Sequence, residues 1–374
     1  MDVAGECRTL ALAVDMALLL GAALAGAFVA TRFEIPLAAL MGALTGTVLV
    51  QGVGLISLEP APPVVRNVLY SAVGLMIGLR ITRSSLHKLR GVALPAIMVP
   101  AVMILSGVLL GLLYAALAPD DSGLRLDLKT AVLSITPGGF QEMAIAAQQM
   151  NALIPVVVVT HMVRIMTVLY TYPKIVHALV RRAGDGRTEE GEDSAQKSRT
   201  EDPRKEQAGA GQWLAMAAGA ATGGAFGVWS GVPAGAVVFA MLGAAVVKGV
   251  IGADSATLPR FERLGIQVSL GIVLGLQFSL GPLSRAGFLI IPLAIALVLL
   301  IALSVGTGLL IWYTTPTDIA TALWMSAPGG LMEVAVMADA MKVDVLPVLT
   351  VHIMRVVLII AIQPSLVLVL SRWL

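Results

Sequence analysis

Charge is what this sequence has least of. Only 13% of its 374 residues are charged, about half the ~25% of an ordinary soluble domain. That deficit excludes the two or three water-facing domains that length alone would suggest. Cysteine is nearly absent. Cys7 stands alone, which excludes an intramolecular disulfide and a cysteine metal site. The histidines (His87, His161, His177 and His352) are scattered without metal-ligand spacing, so no copper, iron or zinc centre is expected. There is no Walker motif, no Gly-x-Ser-x-Gly elbow and no His-Glu-x-x-His. The net charge of +2 is not gathered into a basic nucleic-acid surface. These absences argue against an enzyme, a cofactor and a nucleic-acid partner.

What is present is apolar. Hydrophobic residues make up 57% of the chain, and the stretches from Arg90 to Pro119 and from Arg285 to Tyr313 hold no internal charge. Runs beyond the ~20 residues that span a bilayer as a helix recur along the chain. They are continuous rather than alternating, which favours helices over an outer-membrane barrel. The 38 glycines suit close helix packing in lipid. The N-terminal segment carries Asp2, Glu6 and Asp15 against Arg8. That is a poor positive flank for a cleaved signal, so a membrane span is expected there.

One stretch breaks the pattern. Arg181 to Glu206 holds 7 basic and 8 acidic residues and cannot bury enough apolar surface to fold alone. It is read as a solvated linker over 181–211, between membrane repeats at 1–180 and 212–374. The two halves are copies. Pro137-Gly138-Gly139-Phe140-Gln141-Glu142 matches Pro328-Gly329-Gly330-Leu331-Met332-Glu333 at an offset of 191. The same offset pairs His161 with His352, Arg164 with Arg355, Asp127 with Asp318 and Pro173 with Pro364. From Pro137 to Arg164, 10 of 28 positions are identical. Earlier in each half, Gly74 to Leu79 matches Gly271 to Leu276 at an offset of 197. This internal repeat is the most specific signal in the chain.

Each half holds six hydrophobic segments, and the fifth (127–150 and 318–341) carries Pro-Gly-Gly near its middle. Both residue types break helices. The loop with Arg80, Arg83, His87, Lys88 and Arg90 reads as cytoplasmic, and so does the end at Arg181 and Arg182. The loop with Asp120 and Asp121 reads as external. Segments four to six then contribute two crossings, so the fifth enters and leaves on one side. A fully crossing broken helix stays open. The expected fold is an all-α integral membrane protein of two inverted repeats. Each has about five transmembrane helices and a broken or re-entrant helix at Pro-Gly-Gly.

Inverted repeats with broken helices place their binding site near the midplane. The candidate substrate-binding residues are Pro137, Gly138, Gly139, Glu142, His161 and Arg164, with Pro328, Gly329, Gly330, Glu333, His352 and Arg355. Glu142 and Glu333 lie in the first turn of the second half-helix. Each either complements the helix N-terminus or serves function, since an ionisable residue in lipid is costly. His161 and Arg164 are three apart and share a helix face. The arginine either pairs with the glutamate to lock the hairpin or contacts a solute.

The duplicated Pro-Gly-Gly-x-x-Glu followed by His-x-x-Arg resembles the membrane AbrB-duplication family of bacteria. The family's labels divide between ammonia monooxygenase and regulator of gene expression, and neither follows from these residues. A looser similarity, carried by Arg32 to Pro36 with Gly42, Gly46 and Gly74 to Leu79, runs to cation–proton antiporters and bile-acid symporters. Those antiporters' aspartate pair has no counterpart here. The resemblance therefore implies a secondary transporter of a small anionic or organic solute in the bacterial inner membrane. Its partners would be the lipid bilayer and that solute, with a homodimer allowed. The alternative is a membrane-embedded regulator or scaffold acting through the linker.

Overall fold

The computed structural model describes residues 3–33, 37–56, 58–83, 91–118, 126–183, 209–253, 256–278, 286–341 and 343–373. The side chains of 3–11, 286, 332, 333, 336 and 340 lie outside that description. So do the loop with Lys88 and Arg90, the loop with Asp120 and Asp121, and linker residues 184–208.

Among the described residues every regular element is helical. The first half forms α1 (Val3–Arg32), α2 (Ala38–Gly52), α3 (Pro63–Gly78), α4 (Ala93–Leu117), α5 (Leu128–Ile135), α6 (Phe140–Gln149) and α7 (Ile154–Ala183). The second forms α8 (Ala210–Trp229), α9 (Gly235–Ile251), α10 (Arg260–Gly275), α11 (Ile290–Thr314), α12 (Ile319–Ser326), α13 (Leu331–Ala340) and α14 (Val345–Trp373). Five helices are long and apolar enough to cross a membrane, within α1, α4, α7, α11 and α14. Many of their large apolar side chains face outward, Leu24 and Phe28 on α1 and Ile97 on α4 among them. That pattern suits lipid, which lacks water's penalty for apolar surface. α7 runs on through Arg181 and Arg182 to Ala183. Basic residues there complement the negative end of the helix dipole, so the helix outlasts its apolar stretch.

The halves interlock. α3 packs on α8 and α9, and α10 packs on α1 and α2. In the other layer α14 packs on α4 and α5, while α7 packs on α12. Small residues make the first layer close. A Cβ on Gly26 or on Gly42 would run into the other glycine's main-chain carbonyl, so α1 and α2 touch backbone to backbone.

Equivalent side chains close equivalent helix ends. Gln51 Nε2 donates to the carbonyl of Leu276, 3.3 Å away, just past α10. Its counterpart Lys248, only 1% exposed, donates from Nζ to the carbonyl of Leu79 past α3. Lys248 thus serves a helix C-terminus rather than a solvated loop. Lys248→Gln should keep the melting temperature within a few degrees, because glutamine does the same job in the first half. Lys248→Leu should cost about 1–3 kcal/mol by stranding a buried carbonyl. Equal melting of the two variants would refute the assignment.

The broken segments follow from their sequence. Asp127 and Asp318 cap α5 and α12, their Oδ1 atoms accepting from Thr130 N at 3.2 Å and Thr321 N at 2.8 Å. Each helix stops where proline follows, since a residue before proline avoids the helical region. Thr136 and Ala327 are extended there, as are Gly139 and Gly330 before the next helix. α6 then folds back. Leu153 N donates to Thr130 Oγ1 at 2.9 Å, which brings the start of α7 beside the start of α5. α5, α6 and α7 pack on one another.

Candidate functional site

Arg164 and Arg355 define the centre. Ten residues into α7, Arg164 donates from Nη1 to the carbonyl of Thr136 at 2.7 Å and from Nη2 to that of Gly138 at 3.0 Å. Arg355 on α14 does the same to Ala327 at 2.8 Å and Gly329 at 2.7 Å. Both guanidinium groups are buried. Each stands at the C-terminal end of a half-helix, where carbonyls lose their intrahelical donors and carry partial negative charge. The planar fork suits two adjacent acceptors better than an ammonium would. Arg164 and Arg355 therefore hold the chain breaks through main-chain carbonyls.

Glu142 is turned the other way. It is third in α6 after the cap residue Gly139, and only 7% exposed. Its carboxylate takes its own main-chain N–H. It also lies over Gly139, where an added Cβ would sit 2.7 Å from Glu142 Cδ. A carboxylate in the first helical turn is well placed for this. It satisfies a donor left free by the break. Glu333 holds the same place in α13, with its side chain outside the described residues.

A cavity of about 80 Å³ lies where the two breaks meet. Gly138, Gly139, Glu142 and Arg164 line it from the first half, and Gly330 and Arg355 from the second. The other sequence candidates stand apart. Pro137, Pro328 and Gly329 are in the breaks but off the cavity wall. His161 on α7 and His352 on α14 are also off the wall, and the two histidines are not equivalent. His352 Nε2 meets the carbonyl of Trp324 on α12 at 2.9 Å. His161 Nδ1 meets Val157 O in its own helix at 3.0 Å, and its buried Nε2 has no hydrogen-bond partner. The hydrogen bond of His352 joins two helices and that of His161 stays within α7, while His352 Nδ1, like His161 Nε2, is buried without a hydrogen-bond partner. His352→Phe should therefore destabilise the fold by about 1 kcal/mol more than His161→Phe, read as a lower melting temperature. The reverse order would show that the histidine bonds do not set the difference.

Sequence reasoning passed over three polar lining residues, Arg80, Gln141 and Gln267. Arg80 follows α3 and was read only as a loop charge. Gln267 was visible as a lone amide in an apolar segment, yet only the packing of α10 aims it here. Leu37 also lines the cavity, with a left-handed φ of 55°. Its counterpart Ala234 has a φ of 57°. Such a conformation costs a non-glycine residue about 1–2 kcal/mol, and both halves keep it. Across the halves, Gln363 on α14 donates to Thr136 Oγ1 at 3.0 Å, and Tyr172 on α7 donates to Leu323 O at 2.9 Å. The last helix of each half thus bonds to the other half's first half-helix or its end.

A family model described as transition state regulatory protein AbrB matches the chain twice, over residues 3–180 and 123–371. Comparison with curated proteins and with solved structures finds no match. The likeness to antiporters and bile-acid symporters thus gains nothing from these comparisons. Matched twice over nearly its whole length, and carrying five helices apt to cross a membrane, the chain belongs to the AbrB family in its duplicated, membrane form.

Proposed function

We propose that this chain is a secondary transporter of a small anionic or organic solute across the bacterial inner membrane. The observation that carries the reading is the meeting of both chain breaks at one cavity with three arginines, Arg80, Arg164 and Arg355. The start of each second half-helix points partial positive charge at that space. Broken helices at a repeat interface serve solute binding in many carriers. About 80 Å³ holds a few waters or an anion the size of nitrate, well short of the ~300–1,000 Å³ of a drug-sized site. Without a nucleotide motif, the drive would come from an ion gradient.

The proposal includes the layout. Membrane repeats at 1–180 and 212–374 flank the linker 181–211. Hairpins that enter and leave on one side give five crossings per repeat and hence opposite orientations. The bond from Leu153 to Thr130 supports the hairpin. Cysteines placed at Ser84 and at Ser122, after replacement of Cys7, should label from opposite sides of the membrane. Labelling from one side would sink the layout.

The function is tested by uptake into proteoliposomes of nitrate, formate, acetate and bicarbonate. Saturable, gradient-driven uptake of at least one is expected. Uptake of none would favour a second reading, a membrane-embedded regulator acting through the linker. The family's printed description as a regulatory protein is the observation on that side.

A further inference from the structure

We infer that Glu142 couples solute to protons: a small monovalent anion enters the cavity only together with a proton on Glu142. This rests on the anion reading above and adds the coupling ion to it. The N-terminus of α6 is already occupied by the protein's own carboxylate, which covers Gly139 and takes the Glu142 N–H. Whatever anion the cavity takes must share that space with it. Two negative groups held close disfavour one another's ionised form, and a proton on one of them relieves this even beside Arg80, Arg164 and Arg355.

A second observation points to a ligand. Arg164 lines the cavity at 1% exposure, and its Nε has no hydrogen-bond partner, although both terminal nitrogens are bonded. An incoming anion would bring an acceptor to that wall.

Among the described residues the charged groups around Glu142 are few. Arg80 after α3, Arg164 on α7 and Arg355 on α14 line the cavity with it. α10 presents the neutral Gln267, α2 is approached through Leu37, and α13 presents Gly330 and Leu331. Glu333 lies outside the described side chains. His161 stands behind Phe140, with ring centroids 6.2 Å apart, and does not reach the cavity. Glu142 is therefore the described group that can exchange a proton as the anion arrives. The step balances. The carboxylate gains one proton as one anion binds, and on the far side both leave, which is anion–proton symport.

Nitrate tests this, because it stays an anion at any working pH and brings no proton of its own. Full-length protein in detergent is titrated with sodium nitrate in weakly buffered solution containing a pH indicator, with binding followed by calorimetry. Wild type should take up protons as nitrate binds, so the solution turns more alkaline. Its apparent affinity should fall by up to about tenfold per pH unit where Glu142 ionises. Glu142→Gln should take up no proton and bind nitrate with an affinity that does not change with pH. Glu142→Asp, which still titrates, should keep the uptake. Nitrate binding by wild type without proton uptake overturns the coupling while leaving the anion site standing. Undiminished uptake in folded Glu142→Gln overturns the role of Glu142. No nitrate binding at all overturns the anion reading itself. The wild-type titration decides the coupling even if Glu142→Gln fails to fold.

Discussion

Arg164→Met should cost about 3–6 kcal/mol and leave little folded protein. The guanidinium makes two charge-assisted bonds, to Thr136 O and Gly138 O, each worth about 1.5–3 kcal/mol. Methionine fills similar space and donates nothing, so two carbonyls are stranded at a helix end. Removing a buried cation returns part of that loss, which places the expectation toward the lower value. Arg164→Lys should recover some stability, since an ammonium reaches one carbonyl but cannot fork across two. Arg355→Met should behave alike through Ala327 and Gly329. Thermal melting in detergent, with the yield of monodisperse protein, measures the effect. A melting temperature for Arg164→Met within a few degrees of wild type would mean that the break holds without the arginine.

Gly139→Ala should leave a folded protein that moves solute at least tenfold more slowly. The added methyl would overlap the Glu142 carboxylate, with Cδ only 2.7 Å from it. Glu142 must then leave the start of α6. Loss of a carboxylate from a helix N-terminus costs about 0.3–1 kcal/mol, small beside the stability of the domain. A tenfold change in rate needs only about 1.4 kcal/mol at the barrier. Flux and melting are expected to separate, unlike for Arg164→Met, where they fall together. Normal flux in Gly139→Ala would show that the position of Glu142 does not matter to transport.

These two substitutions divide what could be read early from what could not. The sequence placed Glu142 in the first turn after a break, and the complement to the helix N-terminus was one of its two readings. Local geometry decides that contact, so it was legible. The spacing of His161 and Arg164 also marked a shared helix face. It left the arginine's partner open between glutamate and solute. The described bonds of Arg164 go to main-chain oxygens, which every residue carries and no side-chain pattern reveals.

The histidines make the same point from the opposite side. His161 and His352 are identical residues at matching places, yet one turns to its own helix and the other to α12. The repeat in the sequence carries no sign of that difference. The interlocking of α3 with α8 and α9, and of α10 with α1 and α2, was likewise hidden. Lipid-facing and helix-facing positions are both apolar, so hydropathy cannot say which surface meets which.

The helical class, the duplication and the places where helices break are legible in the order of residues alone. Those follow from composition, from rare residues kept in register, and from the backbone limits of proline and glycine. Folding in three dimensions is what brings both breaks to one cavity, Arg80 and Gln267 to its wall, and Lys248 to a helix end. Each depends on contacts between residues far apart in the chain, through backbone atoms or between apolar surfaces that read alike in one dimension.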